Sequence, residues 1–423
     1  MQINVLQKTL HNGKIEKAIE YLTYLLILMF YTGKSFEVFT VLIDILFLIL
    51  LKLNKDKSFF SKNKFLLKSF SVLFLYLFFQ SFIATNIVHA LENSMGMIRF
   101  VILFFALIYV FNTQEKIIKL IFSVFIIIVL LFIDATVQLS TGTDLFGFPL
   151  YHDMKLTCWS DMPNLSSYIP IFLGIILASF GIIKDKKIVF FIIILFSLML
   201  FLSGNRGSVV YAIGSLFIVL MFSSYRKFLF QLILGLMLIM VLVFAFDKPL
   251  YKQFLVYKDP FNAKNNTGRT VLYETAIEMI KDKPLSGIGS KNFRYDFHKY
   301  YLPVYERTKD KNIYYEVYQE RVPLHVHNMF LSFLLNWGII GTVIFFSILY
   351  YIYKHYIKGN NLAILSSVGL LYTVAPYNFG QSIAQGYWQF CIFLTLAFVV
   401  IIGSYSNISK DREKVIKKGI INE

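Results

Sequence analysis

The residues best suited to chemistry stand in the stretch HVHNMFLSFLLNWGIIG, residues 325–341. His325, His327 and Asn328 come immediately before a long apolar run. A neutral imidazole can accept a proton from a hydroxyl group near neutral pH, which is the task of a general base. We therefore interpret His327 as a candidate general base, with His325 and Asn328 in supporting roles. The structural alternative is a histidine that only caps or hydrogen-bonds the start of a helix.

A metal site at these histidines is disfavoured by their spacing. His325 and His327 are two residues apart, which does not place two ligands on one face of a helix. No cluster of cysteines or carboxylates accompanies them in the sequence. We therefore expect neither a metal nor another cofactor at this site.

Two glycines follow the histidines in the apolar run. If a helix begins near His327, then Leu331, Leu334, Gly338 and Gly341 follow at alternating steps of four and three and share the face of His327. Glycines on such a face let a neighbouring helix pack closely. We therefore expect Gly338 and Gly341 to support the site by holding His327 at a seam between two helices.

Two arginines add positive charge to the candidate set. Arg206 lies in SGNRGS, a short link between apolar runs, and Arg269 begins a predicted helix. A guanidinium group pairs with phosphate through two parallel hydrogen bonds, and the free N–H groups of a helix N-terminus also favour an anion. The pair predicts a site for a lipid-linked diphosphate. The structural alternatives are an interface anchor for Arg206 and a solvated surface residue for Arg269.

The elements that must position these residues are membrane helices. The chain has 423 residues, of which 57% are hydrophobic and 16% charged, whereas about a quarter of the residues of a soluble protein are charged. Apolar runs of about twenty residues, the length that crosses a bilayer as a helix, recur along the sequence. Composition therefore predicts an all-α polytopic membrane protein.

About twelve membrane helices are predicted, with the whole chain (1–423) forming a single membrane domain. The runs are residues 19–33, 36–53, 64–84, 95–112, 117–138, 163–183, 188–203, 207–224, 228–247, 328–353, 361–378 and 385–404. Lysine and arginine concentrate in alternate connections, which the positive-inside rule assigns to the cytoplasm together with both termini.

The longest connection, residues 248–327, falls outside the membrane on this topology. It lies between the ninth and tenth predicted helices. Inside it, a stripe of apolar residues at helical spacing predicts a helix from about Thr267 to just before Pro284. The stripe consists of Val271, Leu272, Ala276, Met279 and Ile280. All the candidate residues then gather on the outer side of the membrane.

The net charge of +16 does not indicate a nucleic-acid partner. The basic residues stand in short connections between apolar runs, where they are typical of segments beside anionic lipid. Two acids, Asp44 and Asp134, lie inside apolar runs. They are candidates for a proton relay, with internal hydrogen bonding as the structural alternative.

Three of these segments resemble one family. The HN pair at His327 and Asn328, followed after nine residues by GIIG, resembles the signature of bacterial O-antigen ligases. Residues 268–293 are similar to the start of the external loop of the wider ligase and polymerase superfamily, and residues 203–208 resemble its outward arginine segment.

The resemblance implies a glycosyltransferase of the bacterial inner membrane. Such an enzyme moves O-antigen from undecaprenyl diphosphate to lipid A–core at the periplasmic face, with inversion at the anomeric carbon and without a metal. Arg206 and Arg269 would hold the diphosphate, and His327 would activate the acceptor hydroxyl. The resemblance assigns no role to Arg99, Lys291 or Arg294.

Other functions remain open at the level of sequence. A polymerase of O-antigen or capsular polysaccharide would use the same donor with a second lipid-linked glycan as acceptor, and the histidine motif favours the ligase. Transfer to pilin or another protein is a further variant. A flippase for lipid-linked sugar is the alternative without chemistry, but it predicts paired half-domains, and the sequence has no internal repeat.

Overall fold

The structure is a computed structural model that describes residues 2–32, 35–151, 155–159, 165–203, 206–246, 269–307, 322–375, 378 and 380–420. Over these residues helices are the only extended secondary structure, beside two isolated β-bridges in the connection after the seventh helix. The prediction of an all-α chain is confirmed for this part. The predicted external loop is described over 269–307 and 322–327, and the rest of it lies outside the described residues.

Seven helices are described between residues 2 and 141. They are α1 (Gln2–Leu28), α2 (Ser35–Asn54), α3 (Lys57–Lys62), α4 (Lys64–Ser81), α5 (Ile87–Gly96), α6 (Ile98–Val110) and α7 (Gln114–Thr141). Side-chain caps fix several of their starts. Thr113, for example, accepts a hydrogen bond from the Lys116 N–H at the start of α7, and Gly142 ends that helix at a φ of 85°.

Ten more helices follow in the described part of the chain. They are α8 (Leu165–Tyr168), which continues into a 3-10 turn (Ile169–Phe172), α9 (Leu173–Ser179), α10 (Lys186–Leu202), α11 (Arg206–Phe222), α12 (Arg226–Phe246), α13 (Arg269–Asp282), α14 (Phe293–Arg307), α15 (Met329–Ile352), which continues into a π turn (Tyr353–Ile357), α16 (Asn361–Val374) and α17 (Gly386–Ile420).

Several of these helices are built to cross a bilayer. Five spans are both long and apolar enough: Lys64–Ser81, Ile87–Val110, Gln114–Thr141, Met329–Ile357 and Gly386–Asn407. Three shorter apolar helices are Ile169–Ser179, Gly207–Phe222 and Asn361–Val374. Each of the twelve predicted runs contains helical residues, and the chain is a multi-pass membrane protein. The count of twelve crossings and their orientation stay predictions.

Two hydrophobic cores organise the helices. The larger core joins the membrane helices, in which α16 packs against α9, α11 and α17, and α4 packs against α15. The smaller core joins α13 and α14 to Val326 and Leu335, which flank the start of α15. The predicted stripe of α13 lies in this core, with Val271 and Met279 fully buried and Ile280 partly buried. The second core therefore fastens α13 and α14 beside the histidines.

Candidate active site

His327 lies immediately before α15 and not within it. Asn328 is the N-cap of α15, with extended backbone (φ −148°, ψ 123°), and its side chain accepts a hydrogen bond from the Leu331 N–H at 2.9 Å. Met329 donates its N–H to the Asn378 carbonyl at 2.9 Å. The expectation that His327 shares a helical face with Leu331 and the later glycines is therefore wrong, because the extended cap ends the helical phase before His327.

The backbone of His327 is held in an uncommon conformation. Its φ is +53°, in the left-handed region that few residues other than glycine adopt. The Tyr273 hydroxyl donates to the His327 carbonyl at 3.2 Å, and the His327 N–H donates to Nδ1 of His325 at 3.3 Å. Such strain persists only where neighbouring contacts hold it, and it is common at functional sites.

One hydrogen bond fixes which ring nitrogen of His327 carries the proton. Nδ1 lies 3.3 Å from the carbonyl oxygen of Gly380. A carbonyl oxygen only accepts hydrogen bonds, so Nδ1 carries the proton and Nε2 keeps its lone pair. His327 is thus arranged as a proton acceptor at Nε2.

His325 is placed to support His327. The two ring centroids are 4.0 Å apart. Nδ1 of His325 accepts the His327 N–H at 3.3 Å, and Nε2 of His325 lies 2.9 Å from the side-chain amide of Gln385. Because both ring nitrogens of His325 have protein partners, the residue fits a supporting role better than that of the base.

Burial and charge keep both histidines neutral. Burial is the main cause that lowers the pKa of His327 from its ordinary value of 6.5 to about 4, and the positive charge of Arg269 adds to it. The hydrogen bond to Gly380 acts in the opposite direction. Burial, the neighbouring His327 and Arg269 lower the pKa of His325 to about 3. At pH 7 each imidazole is therefore in its basic form.

Arg269 lies on the side of α13 that faces the histidines. It is the first residue of that helix, and Tyr273, which bonds the His327 carbonyl, follows one turn later. Residues four apart occupy the same face of a helix. The electrostatic effect of Arg269 on both histidines agrees with this placement, so the structure brings three of the predicted site residues together.

Arg206 is described only through its backbone, at the start of α11; its side chain and Gly204 lie outside the described part. The first turn of α11 is nevertheless tied to the histidine segment. Ser208 hydrogen-bonds Tyr372 of α16. Asn378 donates from its side chain to the Tyr372 carbonyl at 3.0 Å, and its own carbonyl accepts the Met329 N–H. A short series of contacts thus joins the start of α11 to the start of α15.

Gly338 and Gly341 behave differently from each other. Gly341 packs against α4, since a Cβ there would lie 2.7 Å from the ring of Tyr76. Gly338 lies against the segment that follows α13, with Leu285 and Gly287 as its nearest neighbours. It breaks α15 with φ 63° and ψ −175°, and a Cβ there would lie 2.2 Å from the carbonyl oxygen of Leu285. The predicted helix seam is correct at Gly341 and wrong at Gly338, where a loop enters instead.

The segment from Asn378 to Gln385 supplies contacts that sequence reasoning missed. Gly380 fixes the tautomer of His327, Asn378 supports the start of α15, and Gln385 contacts His325. One signal could have identified this segment: its polar residues stand between two apolar runs, on the same predicted side of the membrane as the histidines. Tyr273 had no such signal, because it lies among the ordinary residues of a surface helix.

Two other cationic groups, those of Arg99 and Arg294, have partners elsewhere, and Lys291 is held by its backbone. Arg99 pairs with Glu37 at 3.3 Å. The guanidinium group of Arg294 lies 5.3 Å from the ring centroid of Tyr295. Lys291 donates its backbone N–H to the side chain of Asn336 at 3.2 Å. None of these contacts involves His325 or His327.

The structure gives one of the two acids in apolar runs, Asp134, a local role. Asp134 accepts the Leu145 N–H at 2.8 Å and so holds the connection that follows α7. Asp44 is buried in α2 and interacts electrostatically with Arg99. In the part of the chain that the structure describes, no three His, Cys, Asp or Glu side chains cluster as a metal site would require.

Comparison with known families finds one match that includes this site. Residues 190–346 match the family described as O-antigen ligase. The match is less than half of the chain, but it contains Arg206, Arg269, both histidines and the two glycines of α15. A search of curated proteins finds no match.

Proposed function

Since residues 190–346 make this chain a membrane protein of the O-antigen ligase family, we propose that it transfers O-antigen from undecaprenyl diphosphate to lipid A–core. The family fits a ligase or a polymerase-like membrane glycosyltransferase, and the proposal commits to the ligase. The observation that carries it is the neutral His327, with Nε2 free and Arg269 beside it.

The reaction is a direct displacement at the anomeric carbon of the donor. The acceptor hydroxyl gives its proton to Nε2 of His327 while its oxygen forms the new glycosidic bond. The bond from the anomeric carbon to the diphosphate oxygen breaks, and undecaprenyl diphosphate leaves with the electron pair. Because attack comes from the face opposite the leaving group, the anomeric configuration inverts.

The arginines act on the charge of the donor. Arg269, with Arg206 as the second guanidinium group, holds the diphosphate by charge-assisted hydrogen bonds and stabilises the negative charge that develops as it leaves. The location that follows is the periplasmic face of a bacterial inner membrane, where both lipid substrates reside.

Donor binding also strengthens the base. The charge of Arg269 helps to hold the pKa of His327 at about 4 in the free protein. A bound diphosphate offsets that charge, so the pKa of His327 rises towards its ordinary value. The imidazole therefore becomes a better proton acceptor only when a donor is present.

Deleting the gene tests the proposal against its alternatives. Loss of a ligase leaves bare lipid A–core, with long polymer still attached to undecaprenyl diphosphate. Core capped by a single repeat would instead establish a polymerase. Lipid-linked repeats confined to the cytoplasmic leaflet would overturn both and indicate a flippase.

A further inference from the structure

The break in α15 is filled by a short external segment, residues 284–288, called the wedge below. The N–H groups of Ile339 and Ile340 would normally bond to the preceding helical turn. They donate instead to the carbonyl oxygens of Pro284 and Leu285, at 2.9 and 3.2 Å. In return, Ile288 donates its N–H to the Leu335 carbonyl at 2.8 Å. The wedge thus replaces the missing helical hydrogen bonds from outside the helix.

Two side chains of α4 complete the junction. The N–H of Ile340, which would normally bond the Asn336 carbonyl, donates to Leu285 instead. Gln80 donates from Nε2 to Asn336 at 2.6 Å, and the Tyr76 hydroxyl donates to Trp337 at 2.7 Å. Unpaired backbone groups are costly in an apolar environment. Both residues therefore stabilise the broken form of α15.

The same two side chains also hold the wedge. Nε2 of Gln80 lies 2.6 Å from the carbonyl oxygen of Ser286, and the Tyr76 hydroxyl lies 3.3 Å from it. The side chain of Gln80 is almost completely buried. Each residue thus bridges the external segment and the membrane helix, which makes the junction a three-way contact of α4, α15 and the wedge.

This junction lies at the end of α13 and partway along α15, the two elements that carry the candidate site. The wedge follows α13, whose first residue is Arg269, and the break lies in α15, whose start follows His327. A second contact links them near the histidines, where the Tyr273 hydroxyl of α13 donates to the carbonyl of His327, just before α15. Two separate contacts fix both the separation and the angle of a pair of rigid helices.

We propose that Tyr76 and Gln80 are positioning residues, which fix the distance between Arg269 and His327 by holding the wedge in the break of α15. The inference rests on the proposed function. Neither residue touches substrate. Each acts through the register of α13 against α15, so that the diphosphate bound by Arg269 lies at a set distance from Nε2 of His327.

Titration of His327 tests this without reference to activity. The purified Tyr76→Phe and Gln80→Met variants, labelled with carbon-13 histidine, are compared with the unchanged protein by NMR. If the wedge is released, Arg269 moves away from His327. We therefore expect the pKa of His327 to rise from about 4 in these variants, as we also expect in the Arg269→Gln variant. The control is Tyr351→Phe, which removes a hydroxyl at the same helix pair, where Tyr351 stacks on Phe65 with ring centroids 4.0 Å apart.

Kinetics supply the second readout. We expect kcat for glycan transfer to fall roughly 10- to 100-fold in both variants, because small misplacements of reacting groups slow the chemical step by such factors. KM for the donor should stay within about twofold.

An unchanged pKa of His327 in both folded variants would overturn the proposal. Absence of transfer by the unchanged protein, with the pKa shifts present, would overturn the proposed function and leave the positioning role intact. If Gln80→Met does not fold, Tyr76→Phe, which removes one hydroxyl, decides.

Discussion

At the scale of single residues, the site depends on three hydrogen bonds that hold His327 in place. The Gly380 carbonyl binds Nδ1 of His327, the Tyr273 hydroxyl binds its carbonyl, and its N–H binds His325. The sequence predicted His327, His325 and Arg269 as site residues, and the structure brings them together. The sequence did not reveal the tautomer, because Gly380 is 53 residues away in the chain.

Replacing His327 tests its role as the base. We expect His327→Ala to lower kcat by about 100- to 10,000-fold, the usual contribution of a general base, with donor binding retained. His325→Ala should cost less, because His325 orients His327 and does not receive the proton. Transfer assays and donor-binding assays on the purified variants measure the difference. Equal activity of His327→Ala and the unchanged protein would exclude His327 as the base.

Replacing Arg269 tests the electrostatic link. The charge of Arg269 lowers the pKa values of both histidines, so Arg269→Gln should raise both towards 6.5 while burial keeps them below it. In the free enzyme, the acid limb of the pH profile of kcat/KM should move to higher pH by the same amount. KM for the donor should rise as well. The matched control is Arg294→Gln, whose guanidinium group stacks on Tyr295.

The depressed pKa values also make stability depend on pH. A buried neutral histidine contributes stability that is complete above its ordinary pKa of 6.5 and is lost as the pH falls through the folded value of about 4. The melting temperature in detergent should therefore fall as the pH is lowered from 6.5 to 4. The His325→Gln/His327→Gln double variant should lose most of this dependence. An equal dependence in both proteins would assign it to other groups.

At the scale of elements, the sequence predicted helices well and their interruptions poorly. The stripe of α13 and the apolar run of α15 have clear helical periodicity, and both helices are present. Glycines at the spacing of Gly338 and Gly341 suit a helix seam and a helix break equally. Only the positive φ of Gly338 and the carbonyl of Leu285 against it separate the two, and neither is visible in the sequence.

The break makes Gly338 hard to replace. In Gly338→Ala the left-handed backbone alone costs about 1–3 kcal/mol, and the new methyl group meets the carbonyl oxygen of Leu285. We expect a lower melting temperature and faster proteolysis after Asp282, where α13 ends and the wedge approaches. Gly235→Ala is the control, since a Cβ at Gly235 has open space around it. Equal behaviour of the two variants would contradict the described junction.

At the scale of the whole molecule, the candidate residues gather where α13, α15 and the segment before α17 meet. The class of multi-pass helical membrane protein followed from composition alone. The number of crossings did not, because α9 and α16 are short and gain much of their stability from packing in the common core. Length and hydropathy therefore do not decide which helices cross.

Cysteine labelling tests the predicted sidedness. Lys299 of α14 and Lys184 before α10 are both exposed, and the two natural cysteines are buried. In intact spheroplasts, a membrane-impermeant maleimide should label Lys299→Cys, which lies in the predicted periplasmic loop. Lys184→Cys should react only after permeabilisation. The opposite pattern would invert the topology and remove the site from the periplasmic face.

Reconstituted transfer is the most direct test of the central claim that this protein is a ligase with His327 as its base. Purified protein in liposomes receives undecaprenyl diphosphate–linked polymer and lipid A–core, with His327→Ala as the control. We expect polymer joined to core, with release of undecaprenyl diphosphate, only with the unchanged histidine. Lengthening of the lipid-linked polymer without any transfer to core, or equal transfer by His327→Ala, would contradict it.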